Sequence, residues 1–413
     1  MRRPAGAGCL EGGLPMDLVT LLAESEAKIL FVIADGLGGI DSEGRGTELE
    51  AARTPNLDRL ARQGATGLTY PVAPGITPGS GPGHLALFGY DPVEHNIGRG
   101  VLTALGIDFD LEPGDVAARG NFCTLDTNGE VTDRRAGRID SRECARLVKM
   151  LSDIRLDDTE IFVEPVKEHR FLLVLRNKKG AISAGVDDTD PHRTGTPPRE
   201  PRARDEKSQK TADAVSEFLA QAREILTEEQ QANMVLLRGF AQLPDLASLQ
   251  DSYGLNGCAL AGYPMYRGIA RLLGMKVVDC GPDLDSEIDA LQSAWPHHDF
   301  LFLHFKDTDS RGEDGDFDGK VAAIEELDRA IPRMMELQPE VIVVTGDHST
   351  PSAMGGHSWH PVPVLIHANT CRVDAVEVFG ETACAGGGLG HLPAKHLITL
   401  ALAHAGRLRK YGA

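Results

Sequence analysis

The sequence predicts an α/β protein with a doubly wound, mainly parallel sheet, interrupted by a smaller α+β domain. Short apolar runs at 29–33, 300–305 and 341–344 have the length and composition of buried strands. Between the last two runs, apolar residues recur at helical spacing from Val321 to Met334. This pattern indicates a parallel pair of strands joined by a crossover helix.

The first strand leads into a helix with clear end signals. Thr54 is a suitable N-cap, Pro55 fits the first helical position, and Gly64 fits the position just after the helix. Ligands of doubly wound sheets collect outside the carboxyl ends of the strands. We therefore expect the first and last thirds of the chain to build one site.

The middle of the chain has a different pattern, which predicts an inserted domain. Strand-like runs at 171–175 and 234–237 accompany an amphipathic helix near 214–226 and a polar, proline-rich span at 187–210. That span has the composition of a flexible loop, although its aspartates and histidine leave a role in the site open. The predicted domains are an N-terminal extension (1–27), a core (28–112 and 254–413) and a cap (113–253).

Composition limits the classes of function. The 413 residues contain 42 Lys and Arg against 61 Asp and Glu, a formal charge of −19, which disfavours non-specific binding to nucleic acid or anionic membranes. The seven cysteines are scattered, which favours free thiols in a reducing compartment. No run approaches the roughly 18 apolar residues of a membrane span. We expect a cytoplasmic, enzyme-sized protein, with an oligomeric state that the sequence does not define.

The first residues are expected to form a loose extension. Arg2 and Arg3 carry the charge of a signal peptide, but glycine and proline, including Pro15, interrupt any apolar segment behind them. Met16 is an alternative start.

Acidic residues follow three of the apolar runs. Asp35, Asp309 and Asp347 each lie shortly after a predicted strand, and His348 follows the last of them. One such aspartate is usually a helix cap or a loop residue, but three together with an imidazole form a stronger signal. Carboxylates and imidazole at one sheet edge suit divalent metal ions.

Ser80 stands between glycines in Pro78–His84, ahead of the apolar run Leu85–Phe88. Small neighbours permit close approach of a phosphoryl group, and a helix beginning near Pro82 would direct its N–H groups at that anion. Metal coordination would lower the pKa of the serine hydroxyl. The alternative is a capping serine in a glycine turn.

The candidate ligands form two groups, which suits a two-metal centre that clamps attacking and leaving oxygens. His357 on its own would be an ordinary loop residue. One group consists of Asp35, Ser80, Asp347 and His348, and the other of Asp309, Glu313 and His357.

Asp133–Arg138 is the densest basic patch in this acidic chain. Arginine binds carboxylate and phosphate groups in bidentate fashion, so the patch is a candidate anchor for an anionic substrate. A solvated charged turn is the alternative. The candidate substrate contacts are Arg134, Arg135, Arg138, Asp190, His192 and Lys306.

Ten segments along the chain together carry a family resemblance. They are 34–39, 54–61, 78–80, 84–92, 98–100, 121–124, 133–139, 188–192, 345–351 and 360–365. With them the chain resembles the alkaline phosphatase superfamily and, within it, the archaeal-type cofactor-independent (2,3-bisphosphoglycerate-independent) phosphoglycerate mutases. The resemblance extends over nearly the whole chain after about Lys28 and implies an alkaline-phosphatase-like core.

The resemblance also implies a reaction, the interconversion of 3-phosphoglycerate and 2-phosphoglycerate through a transiently phosphorylated Ser80. Two divalent metal ions are implied, with manganese or magnesium favoured over zinc. One ion is assigned to Asp35, Ser80, Asp347 and His348, and the other to Asp309, residue 313 and His357.

Three positions depart from the family pattern. Glu313 stands where the family has His, Gly81 where it often has an acidic residue, and His391 where it often has Arg. An oxygen ligand at 313 shifts the metal preference toward manganese or magnesium. The alternatives are a phosphatase, another phosphomutase or a homoserine-kinase-like enzyme with the same core, and a metal-binding protein without catalysis.

Overall fold

The structure is a computed structural model that describes residues 18–42, 44–95, 97–281 and 283–412. Its strands form two sheets. The strands are β1 (Ile29–Ala34), β2 (Ala65–Tyr70), β3 (Val116–Leu125), β4 (Val131–Asp133), β5 (Thr159–Lys167), β6 (Arg170–Asn177), β7 (Met234–Ala241), β8 (Gly257–Ala261), β9 (Lys276–Val278), β10 (Phe300–Phe305), β11 (Val341–Thr345), β12 (Val362–Ala368) and β13 (Gly390–Pro393).

Helices cover both faces of the larger sheet and one part of the smaller. They are α1 (Glu48–Ala51), α2 (Pro55–Ala61), α3 (Ser80–Leu87), α4 (Arg99–Gly106), α5 (Ser141–Leu151), α6 (Gln209–Ile225), α7 (Leu249–Tyr253), α8 (Pro264–Leu272), α9 (Leu284–Ala294), α10 (Asp307–Glu313), α11 (Phe317–Met335), α12 (Glu381–Cys384) and α13 (Leu397–His404). Short 3-10 helices occupy Leu18–Leu21, Ala136–Arg138, Glu206–Ser208, Trp295–His297 and Ala394–His396.

The larger sheet has eight strands in the order β13-β2-β12-β11-β1-β10-β8-β9. Only β12 runs against the others, since its pairings with β11 and β2 are antiparallel and the remaining pairings are parallel. The predicted fold class, a doubly wound and mainly parallel sheet, is confirmed. One detail is wrong: β10 and β11 do not pair with each other, because the crossover through α11 skips one position and β1 lies between them.

Side chains of the central strands pack alternately into two separate apolar layers. On β1, Phe31 packs into the layer that includes Leu85 and Ile269, whereas Val32 packs into the layer that includes Ile324. Strand side chains alternate between the faces of a sheet, so an all-apolar strand is buried on both. The larger sheet is therefore the middle of three layers of secondary structure, with α3, α4, α8 and α13 on one face and α2, α9 and α11 on the other.

The smaller sheet has five strands and its own apolar cluster. Its order is β4-β3-β6-β5, with β7 on the free side of β3, and its ladders are antiparallel. Helices α5 and α6 pack on it through residues such as Leu147 and Phe218. All five strands come from the span predicted as the cap, so the sheet fits the expected α+β insertion, while the exact domain boundaries stay a prediction.

The predicted N-terminal extension falls partly outside the described residues, which exclude 1–17. The part that is described contacts the core: Ala23 N donates to Arg407 O at 2.9 Å, and Ser25 Oγ donates to Ala405 O at 2.8 Å. Six cysteines lie in the described residues, and all six are free thiols. Among the described helices, none is long and apolar enough to cross a membrane.

Candidate active site

The predicted acidic residues follow three neighbouring strands and lie at one edge of the sheet. Asp35 follows β1, Asp309 lies on α10 just after β10, and Asp347 follows β11. These strands lie side by side, because β1 pairs with both β10 and β11. The three carboxylates are at most 1% exposed, and they meet at the carboxyl edge, as expected for a doubly wound sheet.

Four ligand-type atoms, including the hydroxyl oxygen of Ser80, lie close together. Nε2 of His348 lies 3.3 Å from Oδ1 of Asp35 and 3.3 Å from Oδ2 of Asp347. The Ser80 hydroxyl oxygen lies 3.2 Å from the same nitrogen. Two carboxylate oxygens, an imidazole nitrogen and a hydroxyl thus surround one small volume. We call these residues, Asp35, Asp347, His348 and Ser80, the metal-type cluster.

The Ser80 segment approaches this volume because glycines allow it. Helix α3 begins at Ser80, two residues earlier than the sequence indicated, and Gly79 is its N-cap. A Cβ on Gly83 would lie 2.3 Å from the carbonyl oxygen of Asp347, so only glycine allows the helix to pack this closely on the metal-type cluster. His84 lies one turn further along α3. Its Nδ1 is 3.1 Å from Oδ2 of Asp347 and 2.8 Å from the carbonyl oxygen of Ser80.

The donor set fits a divalent cation. Oδ1 of Asp35 and Oδ2 of Asp347 are buried and have no hydrogen-bond partner, although buried polar atoms are normally paired. Burial lowers the pKa of His348, but the charges of Asp347 and Asp35 outweigh it and raise that pKa to about 9. A cation held by these atoms would balance the concentrated negative charge, and carboxylate with imidazole suits manganese, magnesium or zinc.

A second ligand group adjoins the first. Atoms of Asp309, His348 and His357 lie within 4.8 Å of one another, and the rings of the two histidines stack with centroids 3.7 Å apart. Glu313 stands at the rim, with a side chain that is 56% exposed and Oε1 3.7 Å from Nε2 of His357. The residues predicted as the second group therefore lie together, with Glu313 as the most exposed member.

Thr350 links the two groups and was not predicted. Its hydroxyl donates to Oδ1 of Asp309 at 2.6 Å and lies 2.9 Å from Nδ1 of His348. Since the hydroxyl proton goes to Asp309, the oxygen accepts from Nδ1–H of His348. This arrangement leaves Nε2 of His348 available as a ligand, which is how outer partners usually orient metal-binding histidines.

Two lysines hold the cluster from different sides. Nζ of Lys306 lies 2.9 Å from Oδ2 of Asp35 and 2.5 Å from Oδ2 of Asp309, which places it beside the cluster, while its contact with substrate stays a prediction. Lys320, fully buried, donates to three carbonyl oxygens, those of Gly36, Gly38 and Thr350, at 2.8 to 3.0 Å. Lys320 thereby ties the turn after β1 to the turn after β11.

Neighbouring groups keep Asp35 ionised. Burial raises its pKa, but the nearby imidazoles of His304 and His348 and the charge of Lys306 outweigh burial and lower the pKa well below its ordinary value. The carboxylate is therefore anionic at neutral pH.

The cap contributes a group of arginines around one buried carboxylate. Arg134 binds Asp190 in bidentate fashion, with both N–O distances at 2.8 Å, and Arg238 lies 3.5 Å from the same carboxylate. Burial, together with the charges of Arg99 and Arg238, lowers the pKa of Arg119 to about 10. Nε of Arg119 and Nε of Arg238 are buried without a hydrogen-bond partner. The group thus has unused positive charge and unused donors.

Several predicted substrate contacts lie in or beside this group. His192 is exposed, with Nδ1 3.5 Å from Arg134, and its backbone N–H donates to Asp190 at 2.8 Å. Arg135 and Arg138 are exposed on the neighbouring turn, where the backbone N–H of Arg135 donates to Asp133. The span 187–210, predicted as a flexible loop, is held in place at this point, because Thr189 and Asp190 are fully buried.

Aromatic residues of α8 and its N-cap lie beside the metal-type cluster. Lys306 lies 5.5 Å from the ring centre of Tyr263, the N-cap of α8. Tyr266 is 1% exposed and donates its hydroxyl to Oδ2 of Asp35. Residues such as these were missed by sequence reasoning, since an isolated Arg in a strand or Tyr in a helix has no local signature.

Comparison with known proteins agrees with the motifs. The model of a family described as 2,3-bisphosphoglycerate-independent phosphoglycerate mutase matches residues 61–232. A probable 2,3-bisphosphoglycerate-independent phosphoglycerate mutase from Aquifex aeolicus is 46% identical over 407 residues, which cover 96% of this chain and 100% of the relative.

Two solved structures share the fold along nearly their whole length. The cofactor-independent phosphoglycerate mutase from Thermoplasma acidophilum is 30% identical with a TM-score of 0.69, and the match covers 92% of this chain and 100% of that one. A protein from Pyrococcus horikoshii is 28% identical with a TM-score of 0.81, over 94% of this chain and 100% of that one. The family resemblance found in the sequence is thereby confirmed, and the chain belongs to the 2,3-bisphosphoglycerate-independent phosphoglycerate mutase family.

Proposed function

We propose that this protein interconverts 3-phosphoglycerate and 2-phosphoglycerate through a phosphoserine formed at Ser80. The observation that supports this most directly is the position of the Ser80 hydroxyl. It lies 3.2 Å from Nε2 of His348, among the unpaired oxygens of Asp35 and Asp347, and it is half-buried rather than sealed in. Family membership supports the same substrate, since the Aquifex relative has the name of this mutase.

The proposed first half-reaction transfers the phosphoryl group to the serine. Ser80 Oγ loses its proton and forms a bond to phosphorus, the bond between phosphorus and the C3 oxygen breaks, and that oxygen takes up a proton. The glycerate then turns, its C2 hydroxyl loses a proton and its oxygen forms a bond to phosphorus, the bond between phosphorus and Ser80 Oγ breaks, and Oγ takes up a proton. Free backbone N–H groups at the first turn of α3 stabilise the anion, because helix N-termini carry partial positive charge.

The residues proposed to hold the metal ions are the two groups described above. Asp35, Asp347, His348 and Ser80 would bind one divalent ion, and Asp309, Glu313 and His357 the other. Such ions lower the pKa of a coordinated hydroxyl and neutralise charge on the transferring phosphoryl group. The carboxylate-rich donor set favours manganese or magnesium over zinc.

The arginines of the cap are proposed to hold the substrate anion. Arg119 and Arg238 have unpaired buried N–H donors, and Arg134 is fixed in place by Asp190. Lys306 adds positive charge from the core side. A glycerate held by both domains stays in the cleft while it turns, and exclusion of water there protects the phosphoserine from hydrolysis. The assignment of Arg135, Arg138 and His192 to substrate contacts stays a prediction, because their exposed positions neither require nor oppose it.

The test is an assay of purified protein with 3-phosphoglycerate and manganese, in which 31P NMR separates 2-phosphoglycerate from free phosphate. We expect an equilibrium mixture of the two phosphoglycerates with little free phosphate, and no conversion by protein stripped of metal. Free phosphate as the main product would instead assign a phosphatase. Turnover that persists after complete metal removal would refute the proposed mechanism.

A further inference from the structure

Tyr266 is a buried residue whose hydroxyl contacts the metal-type cluster. It lies on α8, is 1% exposed, and stacks on His304 with ring centroids 3.7 Å apart. Its hydroxyl donates to Oδ2 of Asp35.

The donors around Asp35 are distributed unequally between its two oxygens. Oδ2 accepts from Tyr266 and from Lys306 at 2.9 Å, and Nε2 of His304 lies 3.2 Å away. Oδ1 has no hydrogen-bond partner. A carboxylate with one oxygen saturated by fixed donors cannot rotate freely, and it offers only the other oxygen to a cation.

We propose that Tyr266 is a positioning residue that holds Asp35 as a single-oxygen ligand, with Oδ1 directed at the ion shared with Asp347, His348 and Ser80. This inference rests on the proposed function, because it assumes that the cluster binds a metal ion. Lys306 cannot replace Tyr266 in this role, since it also pairs with Asp309 at 2.5 Å and is itself proposed to face the substrate. Outer partners of metal ligands contribute about 10- to 100-fold to metal affinity or activity.

The test compares Tyr266→Phe with Tyr90→Phe. Tyr90 is a matched control, because it is also a buried tyrosine, 6% exposed, whose hydroxyl donates a hydrogen bond, in this case to Ala247 O at 2.7 Å. Both changes remove one oxygen and keep the ring. Isothermal titration of metal-free protein with Mn²⁺, without substrate, measures the affinity of each site, and electron paramagnetic resonance of the bound Mn²⁺ reports the symmetry of its ligands. Near-UV circular dichroism verifies that both variants are folded.

We expect wild type and Tyr90→Phe to bind two Mn²⁺ ions alike. Tyr266→Phe should bind one of the two about tenfold more weakly or worse and change its resonance spectrum. Identical affinities and spectra for Tyr266→Phe, with only a lower melting temperature, would reduce Tyr266 to a packing residue and leave the proposed function intact. A wild-type protein that binds no Mn²⁺ would overturn both.

Discussion

The hydroxyl of Ser80 lies 3.2 Å from Nε2 of His348, although the two residues are separated by 268 positions in the chain. The contact joins the first turn of α3 to the turn after β11. It forms because Gly83 lets α3 pack against the backbone of Asp347. The proposed nucleophile and the metal-type ligands are thus positioned by the same packing of α3 against the turn after β11.

Replacement of Ser80 by Ala should abolish mutase turnover while the protein remains folded. The variant removes the only oxygen proposed to accept the phosphoryl group, whereas Asp35, Asp347 and His348 remain as ligands. Metal analysis should therefore still find about two ions per chain, with weaker affinity for one of them. Incubation with 32P-labelled substrate followed by acid quench should label wild-type protein and not the variant. Wild-type turnover by Ser80→Ala would exclude the phosphoserine route.

The cap arginines give a second prediction. Loss of one charge-assisted hydrogen bond costs about 1.5–3 kcal/mol, so Arg119→Ala or Arg238→Ala should raise KM by tenfold or more. Release of free phosphate should also rise, because a loosely held glycerate escapes before the phosphoryl group returns. Arg135→Ala and Arg138→Ala test the earlier sequence-based assignment in the same assay. Unchanged KM in the first two variants would remove the buried arginines from the substrate site.

The sequence predicted the core well because its signals are local. A run such as Val341–Val344 is apolar at every position, which identifies a strand buried on both faces, and an aspartate just beyond the end of that strand must lie at the sheet edge. Asp35, Asp309 and Asp347 could therefore be grouped before any contact was known. The order of the strands was less accessible, since nothing local indicates that β1 separates β10 from β11.

The residues that were missed act through long-range contacts. Arg119 follows three apolar residues on β3, and its unpaired Nε becomes notable only because β7 brings Arg238 beside it. Thr350 and Tyr266 reach the ligands from a turn and from a helix on different parts of the chain. Their roles depend on the final packing of the sheet and not on any motif.

Glu313 gives a third prediction, about the second metal ion. If Glu313 is a ligand together with Asp309 and His357, Glu313→Ala should lose about one metal equivalent and most activity, because three protein ligands are near the minimum for a catalytic site. Glu313→His should move activity toward zinc or cobalt, since imidazole is the softer ligand. Inductively coupled plasma mass spectrometry gives the metal content of each variant.

Asp314→Ala is the control for Glu313, because Asp314 is the exposed neighbour on the same turn. It should retain both ions. Two bound ions and normal turnover in Glu313→Ala, combined with a loss in Asp314→Ala or in His360→Ala, would transfer the ligand role to one of those residues.

Glu287 gives a prediction about stability and pH. Its side chain is buried at the N-terminal part of α9, Oε1 accepts from the backbone N–H of Gly262 at 3.2 Å, and Oε2 has no partner. Burial, with a contribution from the charges of Asp307 and Asp283, raises its pKa from 4.5 to about 8. The folded state therefore holds this proton more tightly than the unfolded state does.

The sign of the effect follows from this difference. The stabilising contribution of protonated Glu287 is present in full below pH 4.5 and is lost as pH rises toward 8. The loss is on the order of 5 kcal/mol across that window. Glu287→Gln keeps the acceptor for Gly262 and cannot ionise. The melting temperature of this variant should therefore rise relative to that of wild type as pH increases from 5 to 8.

The matched control is Glu326→Gln. Glu326 is an exposed glutamate that lines the same cavity as Glu287, a cavity of about 280 Å³, and this variant should follow wild type throughout. A constant difference between Glu287→Gln and wild type across this pH range, measured by differential scanning calorimetry, would show that Glu287 is ionised in the folded protein.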